Sequence, residues 1–122
     1  MVSFCVDSIR PDDPQEDNIY LIDPQAYIFH LRRRWAGVVI DNVQSVYCLR
    51  WELPSGFEGR LFADGKGITI SANPRDDAIE FALWHRSIVP QEYPLFLFDD
   101  GLSAILELRA DTTRAQIYEL FG

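Results

Sequence analysis

The clearest indication of the fold is the segment FEGRLFADGKGITISA, residues 57–72. Two segments rich in apolar and β-branched residues flank Asp64 and Gly65, a dipeptide typical of the tight turn of a β-hairpin. Residues 94–108, PLFLFDDGLSAILEL, have the same organisation around Asp100 and Gly101. Because a hairpin pairs its strands antiparallel, the two stretches predict an antiparallel sheet.

Other segments predict further strands and about three helices. Residues 45–53 indicate a strand that ends before Pro54, and the alternation over residues 2–6 also fits a strand. Asp23 and Pro24 are typical of a helix start, and they predict a helix over residues 24–35. Residues 27–31 alternate as well, so a strand remains an alternative for this segment. Two more helices are predicted, one opened by Asn73 and Pro74 and one by a capping box from Thr113 to Gln116.

These elements predict a single α+β domain over residues 1–122, built on one antiparallel sheet of about five strands with two hairpins and about three packed helices. The chain is long enough for one substantial core. We expect that core to contain the following large apolar side chains: Trp51, Phe62, Ile68, Ile70, Ile79, Leu83, Leu95, Leu97, Ile105, Ile117 and Leu120.

The composition is acidic and apolar at once, with a net charge of -8 and 48% hydrophobic residues. That apolar fraction argues against a disordered acidic tail. The negative charge predicts a partner that is a basic protein, and it disfavours nucleic acid and anionic membranes. No apolar run approaches the roughly 20 residues of a membrane span, and the N-terminus lacks the pattern of a signal peptide. We therefore expect a cytoplasmic protein.

No residue pattern indicates a cofactor, a metal or an enzyme. The only cysteines and histidines are Cys5, Cys48, His30 and His85, and none has the spacing of a zinc site. The sequence has no nucleophile elbow and no phosphate-binding loop. We expect both thiols to be buried and reduced, and His85 to lie at the surface or at its boundary. A small hydrolase would need a histidine held against a carboxylate in a pocket.

The candidate binding residues are acidic side chains around the second hairpin. Glu80, Glu92, Asp99 and Asp100 lie close in sequence and form the predicted docking patch, with Trp84 as an aromatic anchor or a core residue. The opposite charge is concentrated in residues 32–34, three arginines, which we interpret as a helix C-terminus paired with the acidic loop at residues 10–17.

Size, charge, aromatic content and the segments FALWHRS (81–87), Pro90 and LFLFDD (95–100) give the chain a family resemblance. It resembles the small acidic immunity proteins of contact-dependent and other polymorphic bacterial toxin systems. The resemblance implies a non-enzymatic protein that occludes the active site of a toxin, such as a basic nuclease domain. The alternative is a small regulatory or adaptor domain that binds an endogenous bacterial protein through the same acids.

Overall fold

The computed structural model describes residues 2–12, 18–72 and 75–121. Within these ranges the chain forms one antiparallel sheet and three helices, so the α+β prediction is confirmed. The strands are β1 Val2–Asp7, β2 Val39–Asn42, β3 Tyr47–Glu52, β4 Glu58–Phe62, β5 Gly67–Ala72, β6 Leu95–Asp99 and β7 Ile105–Leu108. The helices are α1 Pro24–Arg34, α2 Arg75–Ile88 and α3 Arg114–Phe121. None of these helices has the length and hydrophobicity of a membrane-crossing segment.

The sheet has seven strands rather than about five, in the order β2-β3-β4-β5-β1-β6-β7. Both predicted hairpins form, as β4–β5 and β6–β7. The N-terminal strand β1 joins them, since Val6 pairs with Ile68 of β5 and with Leu97 of β6. The strand that the sequence did not indicate is β2, which has four residues and is too short for a clear period-two signal.

The helices all pack on one face of the sheet. Trp51 of β3 contacts Tyr27 of α1 and Phe81 of α2 through ring pairs of 5.3 and 5.7 Å. Phe121 of α3 packs edge-on against Phe4 of β1 at 5.3 Å. The register places Trp51, Gly59, Ile70 and Phe4 side by side on this face. The core therefore lies between the helices and this face of the sheet.

Most of the predicted core residues are buried. Leu120 is the exception, because 46% of its side-chain surface is exposed. The reason is the direction of α3, which turns Ile117 and Phe121, four positions apart, toward the sheet. Partly buried members of the predicted set are Phe62, Leu83 and Ile105, and fully buried members are Trp51, Ile68, Ile70, Ile79, Leu95, Leu97 and Ile117.

His85 is completely buried, so the prediction that it lies at the surface or its boundary is wrong. His85 is seven positions after Ala78 and three after Ala82, which puts it on the buried stripe of α2. Its Nδ1 shares a 2.8 Å hydrogen bond with the Tyr27 hydroxyl. Burial, with a smaller contribution from the neighbouring Arg86 charge, lowers the pKa of His85 to about 3.

The segment at residues 24–34 is helical, which settles the helix-or-strand alternative. Asp23 is the N-cap, and its carboxylate accepts a 3.3 Å hydrogen bond from the Ala26 N–H. At the other end, Arg34 pairs with Glu80 of α2 at 3.1 Å. Residues 13–17 of the predicted acidic loop lie outside the described residues, as do Asn73 and Pro74, the predicted start of the second helix.

Candidate functional site: an acidic end of the sheet

The structure separates Glu92 from Asp99 and Asp100. Glu92 precedes β6, and its backbone carbonyl accepts a hydrogen bond from the Asn18 side chain. Asp99 is the last residue of β6, at the other end of that strand. A rise of about 3.3 Å per residue puts the two ends of this five-residue strand roughly 13 Å apart. The predicted patch is therefore divided between opposite ends of the sheet.

Asp99 and Asp100 share their end of the sheet with the start of α2. The register pairs Asp99 with Phe4 of β1, and Val2 of β1 with Ala72, the last residue of β5. The β3–β4 turn, residues 53–57, lies at this end too, because Glu58 pairs with Ser71. We call this part of the molecule the acidic end: the β3–β4 turn, the first two turns of α2 and the β6–β7 turn at residues 99–104.

Four carboxylates at the acidic end form no ion pair with any basic side chain that the structure describes. These are Asp76 and Asp77 in the first turn of α2, and Asp99 and Asp100 in the β6–β7 turn. On the sheet face that the helices do not cover, carboxylates do have a basic partner. Arg50 lies 3.5 Å from Asp41, 3.7 Å from Glu52 and 2.7 Å from Glu58. Negative charge without a basic partner is therefore present at the acidic end, whereas the carboxylates around Arg50 are paired.

Glu80 links the three helices. Its carboxylate lies 3.1 Å from Arg34 at the end of α1 and 3.7 Å from Arg114 at the start of α3. Nearly half of the Glu80 side chain is exposed. This predicted binding residue therefore already has two intramolecular ion pairs, and a docking partner would compete for its carboxylate.

Trp84 belongs to an aromatic cluster between α1 and α2. Its ring contacts Trp35 at 4.8 Å, Phe81 at 5.1 Å and Tyr27 at 5.8 Å. The side chain is partly buried and packs against the core. Of the two roles considered for Trp84, these contacts fit the core role.

The β6–β7 turn holds a strained leucine. Leu102 has a φ of 52°, in the left-handed region that disfavours bulky side chains, and 51% of its side chain is exposed. Asp99 maintains this conformation: its carboxylate accepts a 2.8 Å hydrogen bond from the Ser103 N–H and another from the Ser103 hydroxyl. The Ser103 interactions lower the pKa of Asp99. Although the sequence suggests Gly101 for the positive φ of this turn, Leu102 adopts it.

A groove opens beside the first two turns of α2. Its volume is about 310 Å³, and it is lined by Trp35, Leu53, Pro54, Ser55, Asp77 and Glu80. One face of the Trp35 ring is stacked on Phe81 of α2 at 5.1 Å, with an interplanar angle of 12°. The groove therefore combines an aromatic wall, an apolar floor and two carboxylates.

The histidines and cysteines form no comparable site. His85 has a tyrosine hydroxyl as its partner, and the cavity lined by His30 and Asp23 measures about 30 Å³, room for roughly one water molecule. Cys5 and Cys48 are half-buried free thiols, and burial raises the pKa of both, that of Cys5 to about 11. No three His, Cys, Asp or Glu side chains among residues 2–12, 18–72 and 75–121 are grouped as a metal site requires.

Sequence reasoning missed Leu102 and Trp35 as parts of the site. It also left Asp76 and Asp77 out of the predicted docking patch, because their place in the first turn of a helix is partly explained by the helix dipole. The Asp-Gly dipeptide assigned the turn correctly, but it gave no sign that the following leucine would take the left-handed conformation. Trp35 contacts α2 because α1 packs against α2. No spacing of residues in the sequence predicts that contact.

Comparison of the chain with protein-family models, curated proteins and solved structures gives no match in any of the three.

Proposed function

We propose that this chain is a non-enzymatic inhibitor of the immunity type, which acts in the cytoplasm by binding a basic toxin domain through its acidic end. The observation that carries the proposal is the β6–β7 turn. It presents an exposed, conformationally strained Leu102 next to Asp100, a carboxylate without a basic partner among the described residues.

Strain at Leu102 supports a binding role because it has a cost in folding. A non-glycine residue in the left-handed region costs about 1–2 kcal/mol, and Gly101, which has no such penalty, is the adjacent residue. Such outliers are concentrated at binding and catalytic sites. About half of Leu102 is exposed to solvent, and a docking partner would bury it.

The acids at the acidic end define the partner's charge. Asp76, Asp77 and Asp100 attract a cationic surface and accelerate its association, while burial of an apolar side chain supplies affinity. The β3–β4 and β6–β7 turns are separated by about four strand spacings, or roughly 19 Å. This width suits the roughly 800 Å² that each partner buries in a standard interface.

The test is inhibition of a basic nuclease toxin domain encoded beside the gene for this chain. We expect loss of nuclease activity at close to one inhibitor per toxin, and about tenfold slower association after Asp100→Lys combined with Asp76→Lys. Asp111→Lys, at the opposite end of the sheet, is the matched control and should leave association nearly unchanged. Glu92→Lys then tests whether Glu92 contributes from its separate position.

Two results would contradict the inhibition of a toxin, and a third would contradict the proposed surface. One is full toxin activity in the presence of excess inhibitor. The other is a purified stoichiometric complex with a host protein that forms without any toxin, which would favour the regulatory or adaptor alternative. Equal association rates for the Asp100→Lys/Asp76→Lys variant and the parent would leave inhibition possible but remove the acidic end as its surface.

A further inference from the structure

The groove beside α2 has the composition of a receptor for one cationic side chain. Trp35 supplies an aromatic wall, Leu53 and Pro54 an apolar floor, and Asp77 and Glu80 two carboxylates. Its volume of about 310 Å³ is at the lower limit of small-molecule pockets, which span about 300–1,000 Å³. It therefore has room for a side chain rather than for a large ligand.

We propose that this groove binds an arginine side chain of the basic partner, with the guanidinium between Asp77 and Glu80 and the aliphatic portion against Leu53 and Pro54. The proposal rests on the proposed function for the origin of the arginine, and it adds the place and the chemistry of recognition. Arginine fits better than lysine because its planar guanidinium can bond two carboxylates and stack on an indole.

The chain itself already places a guanidinium at the edge of this groove. The Cζ atom of Arg34 lies 4.9 Å from the centroid of the Trp35 ring, and its Nη2 lies 3.1 Å from Glu80. About 46% of the Arg34 side chain is exposed, so it can move into solvent. Arg34 thus acts as an internal competitor, which a partner arginine displaces from Glu80 while also pairing with Asp77.

Because Arg34 competes with the partner's arginine, two substitutions should change the affinity for an arginine probe in opposite directions. Asp77→Asn replaces the carboxylate with an uncharged amide of similar shape. It should weaken binding of an arginine probe about two- to fivefold. Arg34→Gln removes the closer of the two arginines that pair with Glu80 and should strengthen binding of the same probe by a similar factor; Arg114, at 3.7 Å from Glu80, is unchanged in this variant. General destabilisation of the fold would weaken binding in both variants.

The experiment is a titration of the whole chain with N-acetylarginine amide, monitored by the indole N–H resonance of Trp35 in NMR spectra. We expect a saturable shift in the millimolar range for arginine and none for the uncharged N-acetylglutamine amide. Asp111→Asn, at the opposite end of the sheet, is the matched control and should bind the probe as the parent does.

The titration tests the groove and the toxin assay tests the proposed function, so each proposal can be contradicted without the other. Absence of a saturable Trp35 shift, or equal affinities in the parent and Asp77→Asn, overturns the groove proposal even when the chain inhibits its toxin. Saturable binding with opposite effects of Asp77→Asn and Arg34→Gln supports the groove even when the toxin assay contradicts the proposed function.

Discussion

Leu102 and Gly65 have similar backbone conformations but opposite side chains. Their φ angles are 52° and 75°. At Gly65 the turn lies against the segment before α1, since an added Cβ would come within 3.2 Å of the Ile22 carbonyl oxygen. The adjacent Ile22 N–H donates a 2.8 Å hydrogen bond to the Gly65 carbonyl. The first hairpin thus uses glycine where the conformation demands it, and the second does not.

We therefore expect Leu102→Gly to stabilise the protein by about 0.5–1 kcal/mol, because it removes left-handed strain at a half-exposed position. Gly65→Ala should destabilise it by about 1–2 kcal/mol for the converse reason. Urea denaturation followed by tryptophan fluorescence measures both changes. A loss of stability in Leu102→Gly would show that packing of the leucine outweighs its strain.

His85 should make the protein sensitive to acid. Its folded-state pKa is about 3, below the unfolded value of about 6.5. Between these values the unfolded state binds a proton that the folded state excludes, so stability falls as the pH decreases from about 6.5 toward 3. Between pH 6 and 5 this contribution is about 1 kcal/mol per pH unit.

The variant His85→Gln isolates the histidine contribution, because glutamine offers Tyr27 a hydrogen-bond acceptor and does not titrate. The free energy of unfolding, measured by urea denaturation from pH 7 to pH 5, should decline about 1 kcal/mol per pH unit less steeply in the variant. Parallel pH profiles would mean that the buried imidazole is protonated or hydrated in the folded state.

Among the elements, the junction between α2 and the β6–β7 hairpin depends on Arg86. Its guanidinium donates to four backbone carbonyls: Val89 at 3.0 Å, Pro90 at 2.8 Å, Tyr93 at 2.9 Å and Leu108 at 3.3 Å. These bonds join the end of the helix to the segment before β6 and to the end of β7. Only 5% of Arg86 is exposed, so unpaired carbonyls there would be costly.

Arg86→Lys should destabilise the protein by about 2–3 kcal/mol, although it preserves the charge. An ammonium group cannot reproduce the planar fan of donors that reaches four carbonyls. Thermal and urea denaturation measure the loss. Arg109→Lys is the matched control, since Arg109 is exposed and pairs with Glu107, and its effect should stay within about 0.5 kcal/mol. Equal stabilities of the two variants would contradict this role for Arg86.

At the scale of the whole molecule, the net charge of -8 should control the kinetics of binding to a basic partner. The Debye length falls from about 10 Å at 0.1 M salt to about 3 Å at 1 M. We expect the association rate constant to fall at least about tenfold from 0.05 to 0.5 M NaCl, with a much smaller change in dissociation. Stopped-flow mixing measures both, and a salt-independent association rate would contradict electrostatic steering.

The features that depend on neighbouring residues could be predicted from the sequence. Asp64 with Gly65 and Asp100 with Gly101 located both hairpins, since a tight turn depends on a few consecutive residues. Asp23 and Pro24 likewise set the start of α1. The acidic charge and the absence of a recognised catalytic pattern also followed from the sequence alone, and both direct the proposed function.

The way in which distant segments meet could not be predicted from the sequence and depends on the tertiary structure. In the tertiary structure β1 lies between the two hairpins. Asp76 and Asp77 lie at the end of the sheet that carries Asp100, and Glu92 lies at the opposite end. The same packing buries His85 and places Trp35 and Asp77 in one groove. These contacts arise from burying one face of the sheet under three helices, and that packing joins residues with no shared periodicity or spacing in the chain.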